Sequence, residues 1–117
     1  MKVSVNNNLY LSEYFNELPV KKVNKIIRNI IRGKFQPGIF VISISDDENS
    51  QLEITPAYIF LQPYYKERHI EIVGLAESHN TAVEDVLVRM TDDCYKLYGN
   101  CNFKIFFKDR LNGEVSS

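Results

Sequence analysis

Apolar residues recur every three or four positions in two long stretches of this chain, and in the segments between them they alternate with polar residues or run together. From Leu18 to Gly33, Val20, Val23, Ile26, Ile27, Ile30 and Ile31 follow helical spacing, while Lys21, Lys25, Arg28 and Arg32 fall on the opposite stripe. The spacing predicts a helix with one face in the core and a positive ridge on its back. Pro19 suits its first position, where no N–H is needed, and Gly33 suits its stop. A second helix is expected from about Asn80 to Tyr98, with Val83, Val86, Leu87, Met90, Cys94, Leu97 and Tyr98 on one stripe. Thr81 and Glu84 resemble a capping box, Asn80 and Ser78 are alternative caps, and Gly99 with Asn100 forms the stop.

Strands are expected elsewhere. Ile39–Ile44 is apolar on both faces, as a central strand requires, and Leu52–Leu61 follows, with Pro56 demanding an edge position or a break. His69–Leu75 is the third, so short connections predict an antiparallel meander. Lys2–Val5 reads as a short edge strand, turned at Asn6-Asn7-Asn8 and answered by Leu9-Tyr10-Leu11. Asn102–Lys108, with Phe103, Ile105 and Phe107 alternating, reads as a last strand. The expectation is an α+β fold in the order β-α-β-β-β-α-β. It has a mainly antiparallel sheet of four to five strands and both long helices on one face.

A length of 117 residues supports a single domain over 1–117, with 1–8 and 111–117 expected to be poorly ordered. A hydrophobic content of 44% excludes wholesale disorder, and a net charge of −1 excludes global attraction to nucleic acid or anionic membranes. Any such binding must come from a local patch. The first residues lack the apolar run of a secretory signal and nothing resembles a membrane span, so the expected location is cytoplasmic, without membrane contact. Cys94 and Cys101 are then expected as reduced thiols, the first buried and inert, the second in a turn.

Charge is divided unevenly between the helices. Residues 21–34 carry six cations and no acid, whereas five acids against two bases leave residues 77–98 at −3. Such asymmetry can align the two helices within one molecule or match opposite faces of two subunits. Val88, Thr91 and Tyr95 lie beside the core stripe of the second helix and form a candidate oligomer seam.

The stripe of Lys21, Lys25, Arg28 and Arg32 is a candidate phosphate-binding ridge, although the helix itself has no aromatic residue to stack on bases, and nucleic acid is not the favoured partner. Tyr58, Tyr64 and Tyr65 are candidates for a groove. His69 and His79 could border a pocket with them, and a metal would need a third ligand such as Glu71 or Asp46. The run Asp46-Asp47-Glu48 lacks the pattern of a calcium loop. No catalytic residue, cofactor or metal site is assigned from the sequence. The preferred reading is a non-enzymatic interaction module contacting itself or another protein. The alternatives are a nucleic-acid-binding accessory protein using the basic ridge and a small enzyme or ligand binder near the histidines and tyrosines.

Overall fold

The strand that organises the molecule, His69–Ala76, is apolar on both sides, with Ile70, Ile72 and Leu75 pointing one way and Val73 and Ala76 the other. A strand buried on two faces must lie inside a sheet covered on both sides. The structure is a computed structural model describing residues 2–44, 52–65 and 67–107. Its strands are β1 (Lys2–Leu11), β2 (Phe40–Ile44), β3 (Glu53–Pro56) and β4 (His69–Ala76), in the spatial order β1-β4-β2-β3. β1 runs parallel to β4, while β2 is antiparallel to both β4 and β3. The fold is α+β with a mixed sheet, and β4 crosses to the far side of β2 instead of extending a meander.

The helices are a single turn α1 (Glu13–Asn16), α2 (Val20–Ile31), α3 (79–98) and α4 (103–107). They do not share one face. Val23, Ile27 and Ile30 of α2 pack with Val41, Ile70, Ile72 and Leu75 on one side of the sheet. Val86, Met90 and Cys94 of α3 and Phe103, Phe106 and Phe107 of α4 pack with Ile42 and Val73 on the other. The expectation of one covered face fails because β4 has apolar side chains to bury in both directions.

Two further expectations are corrected. Residues 2–11 form one paired strand, not a hairpin: the side chain of Asn6 accepts from the Asn8 N–H (2.9 Å) inside a bulge between Val5 and Tyr10. The same buried amide donates to Glu71 Oε2 (2.7 Å) and to the Phe107 carbonyl (3.3 Å), tying β1, β4 and α4 together. Residues 103–107 are helical, not extended, because Phe103, Phe106 and Phe107 fit an i, i+3, i+4 pattern and the Asn102 side chain accepts the Ile105 N–H (3.2 Å) as a cap. Ile105, expected inside, is exposed. Pro56 acts as expected, ending an edge strand, after which Ala57–Leu61 forms a 3₁₀ turn. Residues 111–117, expected to be poorly ordered, and the acidic run at 46–48 lie outside the described residues.

Close seating of α3 depends on small groups. A Cβ on Gly74 would lie 2.9 Å from Met90 Cε, 3.1 Å from Ile42 Cδ1 and 3.2 Å from Val86 Cγ1. Ala82, Val86, Met90 and Cys94 are all wholly buried at four-residue intervals, a row that would rotate by about 40° per step around a straight α-helix. A widened π turn over Ala82–Leu87 takes up that drift, so the whole row faces the sheet. Ser78 caps α3, its hydroxyl accepting the Thr81 N–H (3.0 Å), so the alternative cap is the one used. No helix among the described residues is long and apolar enough to cross a membrane. Gly74→Ala is expected to cost about 1–3 kcal/mol by overpacking, read as a lower denaturation midpoint; an unchanged midpoint would contradict this close packing.

Candidate functional site

The ridge on α2 is built by a helix with defined ends. Pro19 precedes its first turn, and beyond Ile31 the chain turns with Gly33 at φ +71. The Gly33 N–H bonds to the Ile30 carbonyl (3.1 Å) and the Lys34 N–H to the Asn29 carbonyl (2.9 Å), a Schellman closure that fixes where Arg32 and Lys34 project. Val23, Ile27 and Ile30 hold the inner face, which leaves Lys21, Lys25, Arg28 and Arg32 exposed along the back. Among the described residues none of the four has an ion-pair partner. The apolar stripe is narrower than expected, since Val20 and Ile31 are exposed.

At the C-terminal end of α2 the fold adds an apolar corner that the helix alone does not contain. Ile31, Arg32 and Gly33 meet Phe60, Leu61, Gln62 and Pro63 around a cavity of about 360 Å³. Beside it Phe35 is 66% exposed and lies against Tyr58, with ring centroids 6.0 Å apart. Cations and unburied apolar groups therefore share one surface, an arrangement that suits contact with a macromolecule.

The three tyrosines do not converge on a groove. Tyr58 leans on Phe35, while Tyr65 packs edge-on against Phe60 (5.1 Å) and Tyr64 (5.0 Å). Burial, with the nearby Glu53 carboxylate second, pushes the Tyr65 hydroxyl up from its ordinary pKa. Tyr64 holds the Arg68 guanidinium 5.1 Å above its ring. The histidines also stay apart: the eight residues of β4, about 26 Å of strand, separate His69 from the segment leading to His79. His69 Nε2 lies 3.1 Å from Ser4 Oγ, whereas the His79 ring stands 6.4 Å from that of Phe40. The two histidines therefore stand near opposite ends of β4 and do not face a common site. Glu71 is engaged by Asn6, Asp46 lies outside the described residues, and no three ligating side chains converge among those described.

On the other side of the sheet, Val88 is 56% and Tyr95 61% exposed on the back of α3, with Thr91 half-buried between them and donating to the Leu87 carbonyl (2.8 Å). Glu84 and Asp92 are exposed on the same helix. Asp85 pairs with Arg89 along the helix (2.9 Å) and accepts the Glu13 N–H (3.1 Å), and Asp93 accepts the Tyr10 hydroxyl at 2.5 Å, so these two acids anchor α3 to its own molecule. Glu13, Glu17, Glu77 and Asp85 border a cavity of about 450 Å³ beside α1. Cys94 is wholly buried and Cys101 exposed, both as free thiols.

Sequence reasoning missed Phe35, Ile31 and Leu61 as surface groups. A usable signal was present: Phe35 follows a helix stop and precedes Gln36-Pro37-Gly38, which offers a large ring no regular element to enter. Comparison with family models, with curated proteins and with solved structures finds no match to this chain.

Burial first, with Cys101 second, raises the Cys94 thiol above its ordinary pKa, leaving less thiolate at any given pH. At mildly alkaline pH a thiol reagent is expected to modify Cys101 at once and Cys94 only on unfolding. Two equally fast thiols in the native protein would contradict the burial of Cys94.

Proposed function

We propose that the chain is an interaction module that contacts other protein subunits, copies of itself first, and acts in the cytoplasm. The carrying observation is the pair of unburied surfaces on opposite sides of the sheet: the basic ridge with its apolar corner on α2, and the exposed Val88 and Tyr95 beside acids on α3. Opposite charge gives such surfaces selectivity for each other, and exposed aromatic and aliphatic groups supply the burial that stable association needs. Two free thiols suit a reducing compartment. Sedimentation velocity over a concentration series tests the reading. A coefficient rising with concentration is expected, and a monomer of 13.6 kDa at every concentration would remove self-association.

Nucleic acid is a second reading, favoured by the exposed Phe35 and Tyr58 rings at the end of the ridge. Four phosphate contacts on single-stranded DNA would give a log–log salt slope of about −3, measured by anisotropy with labelled oligothymidylate. A flat or absent titration would discard that reading.

A further inference from the structure

The two surfaces differ in sign and stand back to back, and this dictates how copies can meet. The back of α2 is cationic along Lys21, Lys25, Arg28 and Arg32, and the cavity with Ile31 and Leu61 opens at its end. The back of α3 presents Glu84 and Asp92 with Val88 exposed between them and Tyr95 exposed just beyond Asp92; of its exposed cations, Arg89 pairs with Asp85 and Lys96 lies at the C-terminal edge beside Tyr95. Pairing α2 with α2 would oppose cation to cation, and pairing α3 with α3 would bring the acids of two copies together. Like charges brought face to face suppress an association, and opposite charges favour it.

The helices cover opposite faces of the sheet, so they cannot satisfy each other within one molecule. Resting on the self-association reading above, we infer that this protein assembles head to tail. The back of α3 in one copy seats on the back of α2 in the next, and the apolar group that enters the corner cavity is Tyr95. Exposed ion pairs alone contribute little, so the tyrosine anchor gives the contact its strength and the charges give it direction. Because the two surfaces are different, each joined pair still carries one free surface of each kind. Growth then continues into chains, or into a ring where the rotation between copies closes.

Light scattering on two surface variants tests this. Arg28→Glu with Arg32→Glu cancels the charge of the four-residue ridge and leaves α3 intact; Tyr95→Arg spoils the α3 back and leaves the ridge intact. Circular dichroism confirms that each is folded, and Asp92→Lys replaces Tyr95→Arg if that variant is not. The expected result is wild-type protein growing beyond twice 13.6 kDa at low salt and shrinking in high salt, with each variant alone at 13.6 kDa. An equimolar mixture of the two variants should recover a species of twice that mass and nothing larger, since each supplies the surface the other lacks. A mixture that stays monomeric overturns the head-to-tail contact. So does a wild-type dimer that Tyr95→Arg abolishes but the ridge variant leaves whole, which would indicate a symmetric α3 seam and leave the interaction-module reading standing. Wild-type protein that is monomeric throughout removes both.

Discussion

Burial of β4 on both of its faces is the constraint from which the architecture follows. Ile70, Ile72 and Leu75 need cover on one side and Val73 and Ala76 on the other, so the helices divide between the two. α2 takes the first face; α3 and α4 take the second. Once they are divided, the polar backs of α2 and α3 become the two outer walls of the molecule, and their unequal charges become a property of opposite surfaces.

The two layers are held by different means. On the α2 side, aliphatic side chains meet aliphatic side chains, and the helix ends in a glycine turn that needs no help from its neighbours. On the α3 side the contact is closer and more specific. Gly74 admits the methyl groups of Met90, Ile42 and Val86, a π turn keeps the Ala82-to-Cys94 row aimed at the sheet, and Arg89 bonds Asp85 and the Leu11 carbonyl while lying 6.0 Å above the Tyr10 ring. Asn6 closes the same layer by donating to the carbonyl of Phe107 in α4. These polar bonds join segments far apart in the chain, which makes the α3 layer dependent on correct assembly of the whole.

The layers leave two sets of groups uncovered on the outer faces of the molecule. A buried polar centre would need groups that converge, and the histidines, tyrosines and acids are dispersed or already engaged by neighbours. The cations of α2 lack ion-pair partners among the described residues, and Phe35, Val88 and Tyr95 lack cover. These groups lie on opposite sides of the sheet, α2 with Phe35 on one and α3 with Val88 and Tyr95 on the other.

Periodicity by itself determined the elements that make their own pattern: α2 with its ridge and a helix over 80–98 are readable in the order of residues, although Val83, Leu97 and Tyr98 of the expected α3 stripe are exposed and Ala82 joins the buried row instead. It also fixed the opposite charges of the two helices. Only the tertiary structure decided which side of the sheet each helix covers, because helical spacing says that a face is buried and not against what. The 103–107 segment shows the same limit: Phe103, Ile105, Phe106 and Phe107 fit alternation as well as helical spacing, and the cap from Asn102 and the space beside Tyr10 choose the helix. The corner at Ile31, Phe35, Tyr58 and Leu61 was illegible for a related reason. Its members come from two segments that the chain separates by more than twenty residues, and a surface shared between distant segments exists only once the sheet has brought them together.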